Sequence, residues 1–147
     1  MGKKIQCESF YLISDKKDNQ ISWEYNPKKQ KLSLSSMNSL DKAFLKGLQD
    51  FIMTFNKDQF YQLKIGKHNI LGKLFSITRR TTDINNQTEQ AYLVLQLKSS
   101  KRLKSNKLKI FAQKVLDELK RFFTNSHMRI FNEKNETNLK EILHKLL

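Results

Sequence analysis

Six cations fall within twelve consecutive residues of this chain: Lys98, Lys101, Arg102, Lys104, Lys107 and Lys109. They run into an apolar-periodic stretch that begins at Leu108, so they sit at the start of an expected helix. Free amides and the helix dipole favour anions at that end, and each cation there costs about a few tenths of a kcal/mol when nothing opposes it. A phosphate, an acidic protein surface or an anionic lipid headgroup reverses that sign and also uses the free amides. The six residues are therefore the candidate anion- or partner-binding site. The competing reading is a solvated charge run.

Catalytic chemistry finds little support. Gly66-Lys67-His68-Asn69-Ile70-Leu71-Gly72-Lys73 has the flavour of a phosphate-binding loop, but its glycines are one residue too far apart. Leu74 also stands where such a loop needs a metal-binding Ser or Thr. His68, His127 and His144 belong to different elements and lack metal-ligand spacing. Asp15 and Asp18 share a turn with Lys16 and Lys17 between them, which fits solvated turn chemistry better than acid–base catalysis. Cys7 has no identifiable base beside it. Trp23, Tyr25, Phe60 and Tyr61 could stack on bases, yet their alternation reads as core packing. No catalytic residue, metal ligand or cofactor site is assigned, and the chain is read as a binding protein.

The bulk composition agrees. The chain has 147 residues, 38% hydrophobic and 29% charged, enough for one domain spanning 1–147 with a single core. No apolar run is long enough for a transmembrane helix, and the basic start is not followed by the apolar stretch of a secretory signal. Met1-Gly2 resembles a myristoylation start, but Gln6 replaces the expected Ser or Thr. Cys7 is the only cysteine, so neither an internal disulfide nor a thiolate metal cluster can form. The sequons at Asn86 and Asn135 are read as chance matches, and a cytoplasmic location is expected. The net charge of +14 favours phosphate-bearing or acidic partners and says nothing about fold.

The elements that must hold these residues are set by periodicity. Phe10–Ile13 is a short apolar strand, and Ile21, Trp23 and Tyr25 alternate with Ser22 and Glu24 as its hairpin partner, stopped at Asn26-Pro27. Lys31–Leu34 can add a short edge strand. Leu40, Phe44, Leu48, Phe51, Ile52 and Phe55 form a helical stripe. Tyr61–Ile65 and Ile70–Thr78 are strands on either side of a turn at 66–69, with Gly72 marking a bulge or a close approach. A polar loop over Arg79–Gln90 precedes Ala91–Leu97, whose apolar character predicts a central strand. Leu108 to Phe123 forms a wide helical face, with charge pairs expected at Lys114–Glu118 and Asp117–Arg121. Thr124–His127 breaks that helix, and Leu139, Ile142, Leu143 and Leu146 mark a last short one. The expectation is an α+β domain of order β-β-α-β-β-β-α-α: an antiparallel sheet of about five strands between helices.

That order resembles the longin domain. The likeness is carried by Phe10–Ile13 with Ile21–Tyr25, by Leu40–Phe55, and above all by the Tyr92-Leu93-Val94-Leu95 strand followed by a basic stretch and a helix ending in Leu119-x-x-Phe122-Phe123. It covers nearly the whole chain but rests on element order, so no functional residue is carried over. Profilin-like and roadblock domains share parts of the layout. The resemblance implies one helix on one sheet face, two on the other, and an adaptor in membrane trafficking or small-GTPase regulation. Its partner would be a protein with an acidic surface or a small GTPase. The alternatives are a basic nucleic-acid-binding or ribonucleoprotein component and peripheral contact with an anionic membrane.

Overall fold

The computed structural model describes residues 6–14, 21–36, 61–65, 68–79, 87–98, 105–126 and 128–147. Six strands form one antiparallel sheet: β1 (Cys7–Ser14), β2 (Ile21–Asn26), β3 (Lys31–Ser36), β4 (Tyr61–Ile65), β5 (His68–Arg79) and β6 (Gln87–Lys98). Their spatial order is β3-β2-β1-β6-β5-β4. Two helices come after the sheet, α1 (Ser105–Asn125) and α2 (Glu136–Leu146), joined through a short 3-10 turn at Glu133–Asn135. The fold is α+β, as the patterning predicts. The expected helix over Leu40–Phe55 and the Asp15–Gln20 turn lie outside the described residues.

The two most continuously apolar strands, β1 and β6, are the central pair, with Phe10 opposite Leu95, Leu12 opposite Leu93 and Ile13 opposite Tyr92. A bulge between Cys7 and Ser9 shifts the register at the start of β1. The Lys31–Leu34 alternation becomes a full edge strand, which raises the count from about five to six. Two loop assignments need correction. His68 and Asn69 pair with Ile65 and Lys64 within the β4–β5 ladder, so they are strand and not turn. Gln87–Gln90 likewise extends β6, pairing with Arg79–Ser76 and adding the Thr78–Thr88 hydroxyl contact at 3.3 Å. Polar residues sit comfortably there, because ladder hydrogen bonds do not require apolar side chains. Gly72 keeps unbroken register between Tyr61 and Val94 and makes no bulge.

Strand alternation sends side chains to two faces. On the first, Phe10, Leu12, Trp23, Tyr25, Leu71, Leu93 and Leu95 pack with the inward stripe of α1 and with Leu139 and Leu143 of α2. In α1 that stripe is Leu108, Ala112, Val115, Leu116, Leu119 and Phe123, all buried, at helical spacing. Phe122 sets its ring edge-on to Phe123 at 4.9 Å. The charge pairs on the outer surface differ from expectation. Asp117 accepts from Gln113 Nε2 at 2.8 Å, and Arg121 lies 3.6 Å from Glu118. Both contacts are exposed, where such pairs stabilise by at most about 1 kcal/mol. The second face carries a smaller buried cluster of Ile13, Ile70, Leu74, Tyr92 and Val94, with Tyr11 against it.

A polar knot fastens the helices to the sheet. Trp23 Nε1 donates to the carbonyl of Ile130 at 2.8 Å in a buried bond. The Ile130 amide donates to the Glu89 carboxylate at 3.2 Å. Asn135, itself buried, donates through Nδ2 to the Arg129 carbonyl at 2.8 Å and accepts from Ser126 Oγ at 3.2 Å. Asn132 Oδ1 accepts from the Lys134 amide at 2.9 Å and so caps the 3-10 turn. The connection between the helices is thus a hydrogen-bonded structure, where the sequence shows only a helix break.

Two stability outcomes are expected. Leu116→Asp places an unpaired charge at a side chain with no solvent exposure, and a loss of about 4 kcal/mol or more, or failure to fold, should appear in denaturant unfolding. Wild-type melting of that variant would mean the α1 stripe does not face the core. Trp23→Phe keeps an aromatic ring but removes both the donor to Ile130 and part of a fully buried indole, and a loss of about 2–4 kcal/mol is expected in the same measurement.

Candidate functional site

The six cations of 98–109 do not form one loop. Lys98 closes β6 opposite His68, while Lys107 and Lys109 lie in the first turns of α1 with exposed side chains. Lys101, Arg102 and Lys104 lie outside the described residues. No acidic residue occupies the first turn of α1, so its start is purely cationic among the described groups. Ile110 stands beside these lysines at 70% exposure, the large hydrophobic side chain left outside the core among the described residues. Lys107 precedes it by one turn and Lys114 lies one turn beyond it, so all three share one helix line.

A second basic group becomes visible only in the fold. The β2–β3 turn presents Lys28, Lys29 and Lys31, all exposed. The turn is built, not slack. Asn26 Oδ1 accepts from the amides of Lys28 at 3.0 Å and Lys29 at 3.2 Å, the Asx arrangement that an Asn before a turn favours. Pro27 sets its own φ, and Gln30 takes φ 52° to bring the chain back into β3. The signal was present in Asn26-Pro27, which reads as a strand stop but also specifies the shape of the turn beyond it.

Among the described residues the catalytic candidates Cys7, His68 and His144 belong to three different elements. Cys7 is buried, and its Sγ donates to the Ser9 carbonyl at 3.3 Å. Burial pushes its thiol up to about 12, which keeps it protonated and removes it as a nucleophile. His68 belongs to β5, His144 is exposed on α2, and His127, Asp15 and Asp18 lie outside the described residues. His68–Lys73 is continuous strand, without the strand-loop-helix geometry of a phosphate loop. Trp23 and Tyr25 are buried under the helices and unavailable for stacking, and burial raises the Tyr25 phenol. Among the described residues no group of His, Cys, Asp and Glu is placed to hold a metal ion.

One groove opens between α1 and α2, about 390 Å³, lined by residues that include Arg121, Phe122, Met128, Lys134, Asn138 and Ile142. Its buried polar member, Asn135, already spends its amide on Arg129 and Ser126. No family model matches the chain, and a search of curated proteins found no match.

Cys7 generates a pH prediction. Its thiol sits at about 12 in the fold against an ordinary 9.0, so the folded state binds the proton more tightly than the unfolded one. That contribution is fully present below about pH 9 and is lost progressively as pH rises toward about 12. Thiol labelling of the native protein at mildly alkaline pH should be slow and become fast on addition of denaturant. Rapid labelling under native conditions would mean Cys7 is accessible.

Proposed function

We propose that this chain is a non-catalytic protein-interaction module with a longin-type layout, acting in the cytoplasm as an adaptor in membrane trafficking or small-GTPase regulation. The observation that supports this reading is the placement of α1 and α2 together on one face of a sheet whose central pair is β1 and β6. Two C-terminal helices on one face is the arrangement the resemblance implies. The exposed cations of the chain, Lys107 and Lys109 among them, then select a partner with an acidic surface.

A second reading, a nucleic-acid or ribonucleoprotein component, is favoured by the net charge of +14. It is weakened by the burial of Trp23 and Tyr25, two of the aromatics that could have stacked on bases.

Titration of the purified chain against a panel of small GTPases, in GDP and GTP-analogue states, tests the proposal. Saturable binding that depends on nucleotide state and survives nuclease treatment is the expected result. Replacing Lys98, Lys101, Arg102, Lys104, Lys107 and Lys109 together by Gln should slow association about tenfold or more while leaving the melting temperature unchanged. Binding confined to oligonucleotides, with a steep fall of affinity against salt that flattens in the substituted chain, would overturn the adaptor reading in favour of the second.

A further inference from the structure

Two groups of exposed lysines, far apart in sequence, meet at one end of the sheet. Asn26 pairs with Lys31 at the closed end of the β2–β3 hairpin, Tyr25 lies opposite Phe10, and Cys7 lies opposite Leu97. The Lys28-Lys29 turn therefore projects past the same sheet end at which β6 finishes. Helix α1 follows β6 from that end. Its far end is tied back through Ile130 to Glu89, near the opposite end of β6. So Lys28, Lys29 and Lys31 from the turn and Lys107 and Lys109 from α1, all exposed, lie toward the same end of the sheet. Three inter-strand steps separate β3 from β6, which at about 4.8 Å each makes the cluster roughly 14 Å wide. That is broader than a single phosphate group.

We propose that this end of the sheet docks on an anionic lipid bilayer, with the five lysines against headgroup phosphates and Ile110 entering the boundary between headgroups and acyl chains. The charge is one-signed, because neither 26–31 nor 105–116 contains an acidic residue. At the same sheet end, Glu8 is half-buried and accepts from Gln96 Nε2 at 3.1 Å, and it is not part of the exposed set. All five cations are lysines, point charges suited to a plane of phosphates and lacking the planar fork that reads a defined phosphate or base edge. Ile110, 70% exposed between Lys107 and Lys114, separates a bilayer from a polynucleotide. An aliphatic side chain has no partner along a phosphate backbone, whereas at a bilayer it inserts while neighbouring lysine stems keep their ammonium groups at the headgroups. The Asx-bonded turn holds Lys28 and Lys29 in place beforehand, so little ordering is lost on contact. No helix among the described residues is long and apolar enough to cross a membrane. Lys107 and Lys109 are shared with the surface proposed for a protein partner, whereas Lys28, Lys29, Lys31 and Ile110 belong to the lipid surface alone.

Vesicle co-sedimentation of the purified full chain decides the matter. The probes are vesicles of phosphatidylcholine alone, vesicles of phosphatidylcholine with phosphatidylserine, and a single-stranded oligonucleotide. Wild type should partition onto the serine-containing vesicles and not onto phosphatidylcholine alone, with partitioning suppressed by high salt. Replacing Lys28, Lys29, Lys31, Lys107 and Lys109 by Gln should lower it by about a hundredfold or more with no change in melting temperature. Ile110→Ser should lower it by about threefold to tenfold and leave oligonucleotide affinity unchanged. Equal partitioning onto both vesicle types overturns the proposal. So does oligonucleotide binding that the five substitutions abolish, if serine-containing vesicles are not bound. An Ile110→Ser variant that partitions like wild type removes the insertion step and overturns the bilayer assignment.

Discussion

The pairing of β1 with β6 is the constraint on which the rest depends. These strands are joined register by register from Cys7–Leu97 to Ser14–Ala91, across more of the chain than any other pairing in the sheet. Closing so long a loop costs conformational entropy before any contact rewards it. The reward is burial. Phe10, Leu12, Leu93 and Leu95 lose essentially all exposure on one face, and Ile13, Tyr92 and Val94 are buried on the other. Two strands apolar on both faces can only be central, and once they are, β2 with β3 extends one side and β5 with β4 the other.

The centre of the sheet then dictates where the helices go. Its first face is apolar from Leu32 on β3 across to Leu71 on β5, and α1 supplies an inward stripe to match. Apolar packing of this kind sets distance but tolerates sliding, and the polar knot removes that freedom. The Trp23 indole and the Glu89 carboxylate grip opposite sides of one residue, taking the carbonyl and the amide of Ile130. Asn135 ties the same segment back to the end of α1 through Ser126. Buried polar bonds add modest net stability, but leaving any of them unmade is expensive, so they select one placement of α2 over its neighbours. The exception is Ser22, whose buried Oγ has no hydrogen-bond partner among the described residues.

Surface chemistry is a consequence of this frame. A hairpin turn and a helix start that are far apart in sequence arrive at one end of the sheet because β2 and β6 are each antiparallel to β1. Neither group of lysines is unusual alone. Their coincidence sets several lysines at one end of the sheet, with Ile110, the exposed large hydrophobic among the described residues, beside one group.

The sequence by itself determined the class of the fold, the central strands and the inward stripes of both helices. Each of these comes from periodicity and apolar content, which are properties of local stretches of chain. Leu108 to Phe123 reads as a helix face because burial selects every third or fourth residue wherever the helix packs. Polar residues carried no such signal. His68, Asn69 and Gln87–Gln90 read as loop and became strand, because a ladder satisfies backbone groups whatever the side chains are. Nor could composition reveal that Trp23 would find Ile130, since a hydrogen bond between residues 107 positions apart exists only after the sheet has formed. The basic run at 98–109 was visible as a run leading into a helix, but that Lys98 closes the strand and Lys107 already lies within the helix was not. Its company with Lys28, Lys29 and Lys31 was decided by strand order alone. Local pattern fixes what a segment becomes; only the tertiary pairing of distant strands fixes what it stands beside.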